Sequence, residues 1–191
     1  MEYDSKPGLL NPGLQWIASG IIEWVKATCY HGESFDTMDA EAEAVAPGCD
    51  GVKMIPDFLP SDPVPGSIQG LILGRTRGHI YRAAMEALTL RLKQRLEKLE
   101  KVGGFKSTDL LLVGGGARNK VWTQMRADML GLPIRISNVS ESTVGGAAMY
   151  AFAGVGVYET PEAAREAFGI TYTIVNPGPQ QAAYQKLLAQ Q

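Results

Sequence analysis

The apolar positions change period along the chain, and the changes outline its elements. Leu14, Ile17, Ala18, Ile21, Trp24 and Val25 recur every three or four residues, the spacing of a helix with one buried face. Asn11-Pro12 supplies a cap and a first helical residue ahead of them, and Gly32 a stop. A short helix is predicted over residues 37–45, before Pro47-Gly48. Residues 52–59 and 68–73 are short apolar runs around a loop rich in proline and glycine, consistent with a pair of strands or extended segments. The longest helical signal covers residues 79–101, with a stripe through Ala83, Ala84, Leu88, Leu92 and Leu96, and Gly103-Gly104 closes it. Its charges alternate in sign, as on a solvated face rather than a basic partner-binding one.

Further on, the pattern becomes strand, helix, strand, helix. Residues 109–113 read as a buried strand and 120–130 as a helix; residues 133–137 read as a second strand and 142–153 as a second helix. This alternation predicts an α/β fold with parallel strands covered by helices. Thr160-Pro161-Glu162 carries cap, proline and acidic first turn in the order of a helix start, and residues 180–191 read as a final polar helix. Neither an internal repeat nor a low-complexity tract interrupts the pattern.

Composition narrows the function classes. At 191 residues the chain is long enough for one domain with a real core. Its net charge of -2 offers no field to hold a nucleic-acid backbone or an anionic membrane. Apolar runs fall short of the ~20 residues of a membrane span, and the N-terminus lacks a signal-peptide pattern. Two cysteines, Cys29 and Cys49, make no disulfide framework, which predicts a reducing, cytoplasmic setting. Cys29 and His31 have no further partners at ligand spacing, so no metal site is expected.

The informative excess is glycine, 22 residues with several in tight clusters. Residues 110–113 run straight into Gly114-Gly115-Gly116, and Asn119 stands at the start of the next helix. A strand ending in glycines before a helix N-terminus suits a nucleotide: the backbone can touch the ligand, and free N–H groups meet its oxygens. A P-loop is excluded, because Ala117-Arg118-Asn119 follows Gly116 where lysine and a hydroxyl residue are required. A dinucleotide-binding turn would need a third glycine where Asn119 stands, although Glu141 lies near the distance of a ribose-binding acid. A plain strand-to-helix connection also remains open on this motif alone.

Four segments resemble the FGGY carbohydrate kinases. LLVGGGARNKVWTQMRADML, residues 111–130, resembles their adenosine-binding segment; GSIQGLILGRTRGHIYRAAME, residues 66–86, resembles their second sequence signature. TVGGAAMYA, residues 143–151, is similar to a small-residue helix near the family's C-terminus, and Asn11-Pro12-Gly13-Leu14-Gln15-Trp16 matches a fourth stretch. The resemblance implies a ribonuclease-H-like, actin-like ATPase fold, incomplete at its N-terminus, and a reaction moving the γ-phosphoryl of MgATP to a sugar hydroxyl. It implies that Gly114, Gly115 and Gly116 face ATP or ADP and that Asn119 bonds its adenine or ribose end. Gln15 would reach the nucleotide from the first helix. Asn11 would join it from one turn earlier, if it is more than an N-cap.

By the same resemblance, the catalytic aspartate and the sugar-binding groups belong to an N-terminal domain that nothing here matches. The chain is therefore expected to be inactive alone, to meet sugar only through that domain, and to self-associate or pair with an N-terminal half. Gly145-Gly146-Ala147-Ala148 is expected to serve close helix packing, and His79 and Arg82 ordinary structural roles. The competing expectations are a kinase of the same family acting on rhamnulose or xylulose, and a non-catalytic module of the same fold that holds ATP or a partner.

Overall fold

The computed structural model describes residues 2–3, 10–11, 13–14, 16–59, 62, 64–139 and 141–190. Strands β1 (Glu2–Tyr3) and β2 (Leu10–Asn11) form a two-residue antiparallel ladder. Helix α1 (Ser19–Val25) continues as a wider π turn over Lys26–Tyr30 and ends with His31 and Gly32 in left-handed backbone. Helix α2 (Phe35–Glu43) starts at Ser34, whose hydroxyl accepts from the Thr37 N–H at 3.2 Å. Strands β3 (Lys53–Ile55) and β4 (Ser67–Gln69) pair antiparallel, as their apolar runs allow.

The long helix α3 (Arg77–Gly103) is the axis of the core. It opens with a capping box, the Thr76 N–H donating to His79 Nδ1 at 3.1 Å, and closes at Gly104 with φ 66°. Helices α1 and α2 and strand β3 pack on it, as does α4 (Lys120–Leu130). Their meeting buries Val25, Tyr30, Met38, Met85, Leu88 and Met125. Complete burial of an aliphatic or methionine side chain is worth about 1.5–3 kcal/mol, so this seam stabilises the arrangement that positions α4.

A three-stranded sheet lies beside this core in the order β5 (Leu110–Leu112), β6 (Ile134–Ser137), β7 (Tyr172–Val175). Strands β5 and β6 are parallel with α4 between them in sequence; β6 and β7 are antiparallel. Between β6 and β7 come α5 (Ser142–Gly154) and α6 (Pro161–Ala167), which pack on each other. Helix α7 (Gln181–Leu188) returns to α4.

Three expectations are corrected. The first helix begins at Ser19 with Ala18 as its N-cap, so Asn11 caps no helix; its backbone pairs with Glu2 instead. The apolar spacing suggests an earlier start because Leu14, Trp16 and Ile17 lie along a groove beside α3 in non-helical backbone. Apolar spacing alone does not separate such a half-exposed, non-helical run from a helix. Strand β5 is not buried: among the described residues it borders only β6, and Leu111 and the following Val113 are 45% and 56% exposed. The sheet is not wholly parallel, since β7 closes it antiparallel.

Candidate functional site

The turn after β5 is built around a conformation only glycine adopts readily. Gly114 has φ 82° and ψ -174°, a region in which a Cβ clashes with the backbone. A single 3-10 turn, Gly115–Ala117, follows. The Ala117 N–H donates to the Gly114 carbonyl and the Arg118 N–H to that of Gly115, each at 3.1 Å. No described residue accepts from the N–H groups of Gly115 or Gly116. A Cβ placed on Gly115 would meet nothing within 4 Å, so internal packing does not require its missing side chain.

That open space belongs to a cleft of about 400 Å³. Ile22, Phe35 and Asp39 from α1 and α2 form one wall; Gly115, Gly116 and Asn119 form the other. A larger hollow of about 700 Å³ lies on the other face of α1, among Trp16, Trp24 and Phe58. Its Arg91 is already spent on Asp57 and the Pro56 carbonyl. The glycine turn and Asn119 border the smaller cleft and not this hollow, so the smaller cleft is the candidate site.

Asn119 ties the walls together. Its Oδ1 accepts from the Trp122 N–H at 2.7 Å, which caps α4. Its Nδ2 donates to Asp39 Oδ1 at 2.7 Å and to the Tyr81 hydroxyl at 2.9 Å, and that hydroxyl donates to the same Asp39 oxygen at 3.0 Å. Burial raises the Asp39 pKa, opposed by the hydrogen bonds from Tyr81 and Asn119. Burial, reinforced by the Asp39 charge, also pushes the Tyr81 phenol above its ordinary range, so it remains a neutral donor.

Behind the loop, Arg126 is only 8% exposed. Its Nη1 donates to the Gly116 carbonyl at 3.0 Å, and its guanidinium lies 3.6 Å from the centre of the Trp122 ring. Burial lowers its pKa to about 10, which still leaves it charged at neutral pH. The Trp122 indole N–H in turn donates to Thr89 on α3 at 2.9 Å. The loop is therefore held from below by α4 and, through Trp122, by the core helix.

Of the residues singled out from sequence, Gly115, Gly116 and Asn119 line the cleft and Gly114 opens the loop. Gln15 and Pro12 lie outside the described residues, and only the backbone of Asn11 is described. Its strand conformation removes the helical adjacency expected between Asn11 and Gln15. His79 and Arg82 do not line the cleft. His79 caps α3 and faces Asp50 Oδ2 at 3.2 Å; Arg82 is buried and bonds Ala42, Glu86, Gln180 and Tyr184. Helix α5 makes little use of its small residues: a Cβ on Gly145 would touch only Val139 at 3.4 Å, and one on Gly146 nothing within 4 Å. Among the described residues, no group of three or more His, Cys, Asp or Glu side chains could hold a metal.

Asp39, Tyr81 and Arg126 were not legible as site residues. Asp39 and Asn119 are 80 positions apart, and nothing local marks either Asp39 or Tyr81. Arg126 could have been suspected from its place two turns into a helix that follows a glycine loop.

This is an α/β domain of the ribonuclease-H-like, actin-like ATPase class, with its glycine turn open to a cleft. The chain belongs to the FGGY family of carbohydrate kinases: that family's C-terminal domain matches residues 2–155. It is 46% identical over 177 residues to an L-fuculokinase of Escherichia coli K12, covering 92% of this chain and 37% of that protein. An L-fuculokinase of Salmonella typhi is 46% identical over 172 residues, covering 90% of this chain and 36% of that protein. The crystal structure of xylulose kinase from Rhodospirillum rubrum superposes with a TM-score of 0.73 at 26% identity, over 90% of this chain and 36% of that one. The chain thus spans little more than a third of the length of these relatives. No helix among the described residues is long and apolar enough to cross a membrane.

Proposed function

We propose that this chain is the nucleotide-binding part of an ATP-dependent sugar kinase acting on L-fuculose, yielding ADP and L-fuculose 1-phosphate. The observation that carries this reading is the glycine turn, with two N–H groups that no described residue accepts from and empty space where a Gly115 side chain would stand, facing a cleft. Kinship with L-fuculokinases supports the sugar. The stretches at residues 11–24, 48–57, 76–89 and 99–119 carry the same likeness in the sequence.

Phosphoryl transfer depends mainly on positioning and electrostatic stabilisation. In this reading the chain supplies the positioning. Gly115 and Gly116 offer N–H groups to phosphate oxygens, and Gly114 sets the turn that aims them. Asn119 holds the loop against α2 and α3 and borders the nucleoside, while Asn11 and Gln15 complete the site from the N-terminal segment. Arg126 places a cation beneath the loop, where it favours bound anions. Mg²⁺ enters with ATP on its phosphate oxygens. The setting is the cytoplasm, and the open edge of β5 supports pairing with a further segment or a second copy.

Titration of the chain with MgADP in a calorimeter tests the reading. Saturable binding is expected in the parent, with a loss of about tenfold or more in Gly115→Val, whose added side chain enters the cleft. Equal affinity in the two proteins would remove the loop from the site.

A further inference from the structure

We propose that Asp39 accepts, through Oδ2, a hydrogen bond from a donor of the bound nucleoside and thereby sets which nucleotide the cleft takes. The proposal rests on reading this cleft as the nucleotide site.

The carboxylate is oriented before any ligand arrives. Asp39 Oδ1 receives Asn119 Nδ2 at 2.7 Å and the Tyr81 hydroxyl at 3.0 Å. Oδ2 takes no hydrogen bond from any described residue, and Asp39 lines the cleft opposite Gly115 and Gly116. Two donors on one oxygen orient the group and work against the burial that raises its pKa. The other oxygen is then a preset acceptor at the cleft wall.

Charge decides what this acceptor can meet. A phosphate beside a carboxylate would be repelled, so the phosphates belong at the N–H groups of the glycine turn and the nucleoside at Asp39. Two donors of the nucleoside are the candidates, the exocyclic amine of adenine and the ribose 2′-hydroxyl. Either would bond Oδ2, whereas a base carrying a carbonyl at the amine position would present acceptor to acceptor.

The substitution Asp39→Asn separates this role from bracing. The introduced amide must keep its oxygen toward Asn119 and Tyr81, which places its nitrogen where Oδ2 stood. Acceptor becomes donor with no change of shape. The whole chain and the variant would be titrated calorimetrically with ADP, inosine diphosphate and 2′-deoxy-ADP. Circular dichroism would check that the variant is folded.

The parent should prefer ADP by about tenfold or more over one of the two analogues, the size of one hydrogen bond to a charged group. Asp39→Asn should erase or reverse that preference and leave the other ratio unchanged. Loss of the ADP-to-inosine ratio identifies the amine; loss of the ADP-to-deoxy ratio identifies the ribose. A parent that binds all three nucleotides alike overturns the inference with no variant needed, as do ratios that survive in the variant. A parent that binds no ADP at all overturns the nucleotide reading with it.

Discussion

Asn119→Asp reverses one atom of the contact that joins the two cleft walls. The new side chain keeps the oxygen that accepts from the Trp122 N–H at 2.7 Å, so the cap of α4, worth about 1 kcal/mol, is retained. It replaces Nδ2 by an oxygen facing Asp39 Oδ1, a pair now 2.7 Å apart. The lost charge-assisted hydrogen bond is worth about 1.5–3 kcal/mol, and two carboxylates at that separation coexist only by sharing a proton. A loss of roughly 2–4 kcal/mol near neutral pH is expected from the bond and the repulsion together.

The pH dependence gives this prediction its signature. Sharing raises the pair's folded-state pKa above the unfolded value, so the folded variant binds more protons than the unfolded chain between the two values. The variant's deficit relative to the parent is therefore smallest below about pH 4 and grows as pH rises through the raised pKa, by about 1.4 kcal/mol for each pH unit separating the two values. Urea unfolding followed by circular dichroism, at about pH 4 and about pH 8, measures the difference between parent and variant. Asn119→Ala serves as the control, losing cap and bond without adding charge, and its deficit should depend less on pH. A deficit for Asn119→Asp that is absent at the higher pH, or larger at the lower one, would refute the contact geometry.

Other outcomes follow from single groups. Gly114→Ala, forced into φ 82° and ψ -174°, should lose about 1–3 kcal/mol; Gly115→Ala, with nothing within 4 Å of its Cβ, should stay within about 0.5 kcal/mol of the parent. Thermal midpoints of the two variants compare them, and equal losses would contradict the turn. The Lys106 ammonium and the Ser107 N–H hold Glu100 at about 2, below its ordinary 4.5. Its contribution to stability is therefore present above about pH 4.5 and is lost as pH falls toward about 2. Glu100→Gln should flatten that stretch of the acid-unfolding curve, and an unaltered curve would count against the contact.

The sequence by itself determined the features closed by neighbouring residues. Helix α4 spans Lys120–Leu130, as its pattern predicts, because Asn119 caps its start three residues from the N–H it satisfies and Gly131, at φ 69°, ends it. Thr160-Pro161 likewise starts α6, and the glycines after residues 110–113 announced an open turn. These bonds form within a few residues, so composition and spacing specify them.

The tertiary structure decided what depends on segments far apart in the chain. It moved the start of α1 from Asn11 to Ser19, because Leu14, Trp16 and Ile17 lie along α3 without helical hydrogen bonds. It left β5 half exposed at a sheet edge and set β7 antiparallel beside β6. It also brought Asp39 across 80 positions to Asn119 and set it in the wall of the cleft. A period of apolar residues tells a segment to be buried, but which surface buries it is known only when the chain has closed.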